Sequence, residues 1–166
     1  ELRRYGVNIV LCGVLPTAAL ACAVVDYPAN LGIVITASHN PAQDNGIKIF
    51  SNLGGKLSKK HQIQVQEFLE APKPLLESKG QISSHPNPSY PWKIRLPKID
   101  LSGWKILLDC AHGSLSPFGE DILCSLGANV LSIAASPDGS NINKDVGALH
   151  PPADLQGCDI ALCLDG

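Results

Sequence analysis

The chain has 166 residues, enough to bury a core, and has room for one medium domain or two small ones. Only 17% of it is charged, against about 25% in an ordinary domain, which points to layered, buried elements rather than a polar bundle. A net charge of −2 gives no support to a nucleic-acid or anionic-membrane surface, and no apolar run reaches the roughly 18 residues of a membrane span.

In chain order, Val7 to Cys12 reads as a buried strand ending at Gly13. Thr17 to Val25 is Ala-rich and predicts a helix with Thr17 as its N-cap. Gly32 to Thr36 and Gly46 to Phe50 are the next strands, with Lys48 facing opposite to Ile47 and Ile49 by alternation. Ser58 to Glu70 predicts a helix capped by Ser58, with Ile63, Phe68 and Leu69 roughly on one face. From Ala71 to Lys98 prolines accumulate (Pro72, Pro74, Pro86, Pro88, Pro91, Pro97), as in a linker. Pattern resumes with a strand at Trp104 to Cys110 and a helix at Pro117 to Leu126 stopped by Gly127. Strands at Asn129 to Ala134 and Cys158 to Leu164 follow. The alternation predicts two α/β units with largely parallel sheets. The boundaries are 1–80 for the first domain, 81–100 for a Pro-rich linker and 101–166 for the second domain.

The six cysteines include no C-x-x-C pair, so a zinc site is not expected. Most lie in apolar runs and read as free thiols in a reducing, cytoplasmic setting. Glu1-Leu2-Arg3-Arg4 lacks the apolar core of a signal peptide. There is no Met, and the chain stops at Leu164-Asp165-Gly166 directly after an apolar run, so a piece of a longer protein is expected.

Chemistry concentrates after the second strand, in Thr36-Ala37-Ser38-His39-Asn40-Pro41 and Asp44-Asn45-Gly46-Ile47-Lys48. Loops at the carboxyl ends of parallel strands are where ligands bind. Pro41 stiffens the loop by restricting Asn40 to extended geometry. A hydroxyl at such a corner can carry a covalent group if cations offset the charge. A structural turn capped by Ser or Asn explains the same residues. Asp44 and Asn45 read as turn formers, as do Asp109, His112 and Pro137-Asp138-Gly139. His61 and His85 read as surface.

The run TASHNPAQDNGIKIF (Thr36 to Phe50) closely resembles the phosphoserine loop of the α-D-phosphohexomutase superfamily, in the form of its bacterial phosphoglucosamine mutase branch. Gly13 to Thr17 resembles the family's G-x-x-P-T-P segment, with Ala18 in place of the second Pro. LLDCAHGSLSP (Leu107 to Pro117), Leu126-Gly127-Ala128 and Pro137 to Asn143 match in order and spacing, and Leu164-Asp165-Gly166 resembles the start of the metal loop. The resemblance implies two three-layer α/β/α domains with mixed, mostly parallel sheets, the first truncated at its N-terminus. It implies that Ser38 carries a phosphoryl group between the 6- and 1-positions of a hexosamine phosphate, converting glucosamine 6-phosphate to glucosamine 1-phosphate. His39 and Asn40 would shape the loop and contact substrate, and Lys48 would approach the phosphoryl group as a cation and proton-transfer partner. Mg²⁺ would bind Ser38 and Asp165. The family's other two metal carboxylates are not among these residues, so weak metal binding and little activity are expected of the chain alone. The family's Thr-Asp-Gly-Ile-Arg-Gly segment and its third and fourth domains are likewise not among them, and Ala148 to Cys158 is short for the helix found there. The rival readings are a phosphomannomutase/phosphoglucomutase, and a non-catalytic sugar-phosphate-binding module. A Ser-His hydrolase is disfavoured because Ser38 is not in a G-x-S-x-G elbow. Oligomeric state is not legible.

Overall fold

The computed structural model describes residues 1–71 and 75–166. Pro72 and Pro74, the first prolines of the Pro-rich stretch from Ala71 to Lys98, lie outside the described residues. The chain divides into two compact units: Glu1–Val34 with Lys48–Arg95, and Ile35–Ile47 with Leu96–Gly166.

The first unit takes in β1 (Ile9–Leu11), α1 (Thr17–Asp26), most of β2 (Leu31–Ile35) and of β3 (Ile47–Ser51), α2 (Lys59–Glu70), β4 (Ile82–Ser84) and α3 (Tyr90–Lys93). β1 pairs in parallel with β4 in the register Ile9 to Ile82, and β2 pairs with β3. Helix α1 buries Ala19, Leu20, Ala23 and Val24. Leu20 and Val24 form a cluster with Phe50, against which Cys12, Ala21 and Val34 pack. In β3, alternation places Phe50, two residues beyond Lys48, in that cluster and leaves Ile47 70% exposed. Gly32 is required there, because a Cβ at that position would run into the Val24 side chain.

Four expectations are corrected. Thr17 is the first helical residue rather than the cap, and Pro16 takes the N-cap position without a side-chain bond. Pro16 has φ −56°, which its ring fixes and a helix would accept, but its ψ of 144° is extended, so it stays outside the helix and Thr17 is the first residue in it. Ile63, Phe68 and Leu69 do not form a covered face, and α2 buries none of its residues. At roughly 100° per residue, these three positions are spread around the helix. Segment 81–100 carries β4 and α3 rather than a bare linker, with Pro91 in the first turn of α3, where no N–H is needed. His85 is not a bare surface residue. Its Nδ1 accepts the Asn87 N–H at 3.1 Å, and its ring lies 5.2 Å from that of Tyr27.

Ser58 caps α2 as expected, its Oγ accepting the His61 N–H at 3.3 Å. Ser58→Ala should cost about 1 kcal/mol, read as a lower urea midpoint with an unchanged m-value. Asp26 at the end of α1 accepts two bonds from Arg95, at 2.6 and 3.0 Å. The Arg95 guanidinium holds the Asp26 carboxyl below its ordinary value. A depressed carboxyl stabilises the fold above its unfolded value of about 3.9, and that contribution is lost as pH falls through the folded value. The stability difference between the native protein and Arg95→Gln should therefore be present at neutral pH. It should shrink in acid, as checked by thermal melts across pH.

The second unit takes in the loop 35–47, β5 (Lys105–Asp109), α4 (Gly119–Ser125), β6 (Asn129–Ile133) and β7 (Ile160–Cys163). The sheet order is β6-β5-β7, all parallel, with Asp109 level with Ile133 and Cys163. All three carboxyl ends therefore lie along one edge. Strand β5 is central and buried, with Leu107 at 0% and Leu108 at 2% exposure. Its apolar centre, Ile106-Leu107-Leu108, is buried throughout and suits a strand covered on both faces. Helix α4 packs against β6, and Gly127 follows it at φ +95°, its N–H bonded to the Cys124 carbonyl at 3.0 Å. That is the left-handed stop the glycine predicted. Residues 134–159 between β6 and β7 contain no helix. The fold is thus α/β with parallel pairing in both units.

Candidate active site

Loop 35–47 is built from its own turn chemistry. The Thr36 N–H bonds the Gly46 carbonyl at 2.9 Å, closing the loop, and Asn40 and Asp44 N–H groups bond the Ala37 and Pro41 carbonyls. The Ser38 N–H bonds Thr36 Oγ1 at 3.1 Å, and Asn40 Nδ2 donates to Asp44 at 2.8 Å. Asp44 and Asn45 act as turn formers, Asn45 Oδ1 accepting the Gly46 N–H. Ser38 itself sits at φ +58°, a left-handed conformation that is uncommon for a serine and clusters at functional sites.

Ser38 Oγ donates to Asp165 Oδ2 at 2.7 Å, across 127 residues of sequence. His39 Nδ1 lies 4.0 Å from the same carboxylate oxygen, with both side chains about half exposed. Asp165 follows β7, whose neighbour Asp109 accepts the Leu164 N–H at its carbonyl, 2.9 Å away. The carboxyl edge of the sheet therefore delivers Asp165 to the serine.

The structure brings Ser38, His39, Asn40 and Asp165 into one unit, whereas Lys48 on β3 belongs to the other. Asp109 is 1% exposed, and its carboxylate accepts the N–H groups of Ala111 at 2.9 Å and Gly147 at 2.7 Å. It is the buried brace beneath this edge. His112 is a turn residue at φ +49° whose Nδ1 accepts the Ser136 N–H. Asp138 accepts the N–H groups of Ser140 and Asn141, which hold its carboxyl below its ordinary value.

Asn143 was visible in sequence only as part of a matching run, with no role. Its amide contacts both the serine loop and Gly166. The sole local signal was an Asn before Lys-Asp, a residue type tolerant of the left-handed region it occupies at φ +58°.

Ser38 and Asp165 offer hard oxygen donors of the kind Mg²⁺ takes. Among the described residues, no group of three or more His, Cys, Asp or Glu could hold a metal. The donor type fits and the number is partial. Among the six cysteines, none is in a disulfide, and Cys110 is buried with its thiol pushed up to about 11, mainly by burial.

Residues 2–74 match the family described as phosphoglucomutase/phosphomannomutase, alpha/beta/alpha domain I. A phosphoglucosamine mutase of Pseudomonas syringae pv. tomato is 39% identical over 96% of this chain and 37% of its own length. One from Ruegeria sp. is 35% identical over 99% of this chain and 40% of its own. The chain thus spans about two fifths of the length of the curated relatives it matches. Among solved structures, a phosphoglucomutase/phosphomannomutase family protein from Burkholderia thailandensis aligns with a TM-score of 0.67 at 21% identity. The match covers 84% of this chain and 32% of that one, a likeness of fold.

Proposed function

On the premise that this chain is a member of the α-D-phosphohexomutase superfamily, with phosphoglucosamine mutases among its relatives, we propose that it forms the phosphoserine-bearing part of a hexosamine-phosphate mutase. The reaction is conversion of glucosamine 6-phosphate to glucosamine 1-phosphate. The single observation that carries the reading is the 2.7 Å bond from Ser38 Oγ to Asp165. It joins a hydroxyl in a strained loop to a carboxylate at the carboxyl edge of a parallel sheet.

In this reading Ser38 holds a phosphoryl group. Transfer breaks the bond between phosphorus and Ser38 Oγ and forms one to a free sugar hydroxyl. The proton the sugar oxygen loses is balanced by the one Ser38 Oγ gains. The bisphosphate then turns and returns its other phosphate to Ser38. The protein's part is positioning and charge neutralisation. Asn40 and His39 shape the loop beside the phosphoryl group, and by the family resemblance Lys48 would be its cation and proton-transfer partner. Mg²⁺ at Asp165 and the phosphoryl oxygens would offset their negative charge. The setting is cytoplasmic, in keeping with six free cysteines. No described helix is long and apolar enough to cross a membrane.

In the full protein, intact-mass spectrometry after incubation with a hexosamine bisphosphate should find one added phosphoryl group, mapped to Ser38 by peptide analysis, with turnover of glucosamine phosphates faster than of glucose or mannose phosphates. Preference for mannose or glucose phosphates would transfer the assignment to a phosphomannomutase/phosphoglucomutase. Phosphate-free protein that binds sugar phosphates without turnover would make it a binding module.

A further inference from the structure

We infer that Asn143 is a positioning residue, the clamp that holds the Ser38 loop against the segment bearing Asp165. The inference rests on the phosphoserine reading for its catalytic consequence and on geometry for the clamp itself. Asn143 Nδ2 donates to the carbonyl of Ser38 and to that of Asn40, each at 2.9 Å. Its Oδ1 accepts the Gly166 N–H at 3.1 Å. Its own backbone N–H bonds the Ala111 carbonyl at 3.0 Å, and the Ala111 N–H is held by the buried Asp109 carboxylate. One amide therefore reads the residue that carries the reactive oxygen, the residue two beyond it, and the residue after the carboxylate.

The chemistry selects asparagine. Two of the three partners are carbonyls, which only accept, and the third is an N–H, which only donates. A primary amide with two N–H groups toward the carbonyls and its oxygen toward the N–H satisfies all three. Aspartate has nearly the same shape but sets an acceptor against two acceptors. Glutamine is one methylene too long. The left-handed backbone at φ +58° further disfavours β-branched residues. The clamp holds backbone groups only, the carbonyls of Ser38 and Asn40 and the N–H of Gly166, and none of the side chains assigned to the chemistry. Its effect must pass through the alignment of Ser38 and Asp165, and a misplacement of about 1 Å can cost about a hundredfold in rate.

Two variants test this in the full protein. Asn143→Asp keeps volume and reverses two of the three bonds, and Asn143→Gly removes the amide while keeping the left-handed backbone free of strain. Hydrogen–deuterium exchange should quicken in residues 36–46, with β5, β6 and β7 unchanged. Phosphorylation of Ser38 by a hexosamine bisphosphate and kcat should each fall about a hundredfold, with KM within about threefold, since no bond made to substrate is lost. Native exchange in the loop of the Gly variant would overturn the clamp. Faster exchange with native phosphorylation and kcat would overturn its part in catalysis. Quickened exchange in a protein never phosphorylated on Ser38 would leave the clamp standing and sink the mutase reading instead. If the Asp variant does not fold, the Gly variant decides.

Discussion

Ser38→Ala should leave the protein without covalent phosphate and reduce turnover by at least about a thousandfold, because the group that carries the phosphoryl between two sugar positions is gone. The loop's geometry dictates the control. Ser38 sits at φ +58°, where any residue with a Cβ, serine and alanine alike, pays about 1 kcal/mol or more and glycine almost nothing. Ser38→Gly therefore removes the same oxygen while leaving the backbone relaxed. Both variants lose the oxygen bonded to Asp165, and both should lose turnover equally. Retained turnover in Ser38→Gly would show that some other group carries the phosphate. Loss in Ala alone would reduce Ser38 to a structural turn residue, the alternative that its neighbours' hydrogen bonds also allow.

The largest stability effect should come from Leu107→Ala. Leu107 is completely buried on the central strand β5, in register with Leu131 of β6 and Ala161 of β7. Truncation removes three heavy atoms from a site flanked on both sides by paired strands that cannot close on the gap, so about 2–5 kcal/mol should be lost. Leu131→Ala, at 40% exposure on the neighbouring strand, should cost well under half as much. Chemical denaturation compares the two. Equal losses would mean that the core is not centred on β5. Leu107→Ala should also weaken the site, because β5 ends in the Asp109 carbonyl that holds the Leu164 N–H and in the carboxylate that holds Ala111 and Gly147.

The elements differ in how plainly they could be read. β5 was legible because the apolar run Ile106-Leu107-Leu108, flanked by Lys105 and Asp109, has one economical fate in a parallel sheet. The cap at Ser58 and the stop at Gly127 were legible because each depends on one side chain acting within a few residues. The pairing of β1 with β4 was not, because Ile82-Ser83-Ser84 has no alternation of its own and lies among prolines. Its strand state is imposed by the partner backbone. His85 likewise had nothing local to announce Tyr27.

By itself the amino-acid sequence determined the alternation of strands and helices, the motif around Ser38 and hence the chemistry to look for. Those properties follow from side-chain period, turn propensity and residue type, all of which act over a few positions. The family resemblance already implied that Ser38 and Asp165 share a site; only the tertiary structure decided that they meet in a direct hydrogen bond, that Lys48 falls in a different unit from the serine, and that Asn143 and Asp109 support the meeting. These contacts join residues from 38 to 127 positions apart. The parallel sheet sets them by bringing the carboxyl ends of its strands to one edge, which no local pattern encodes.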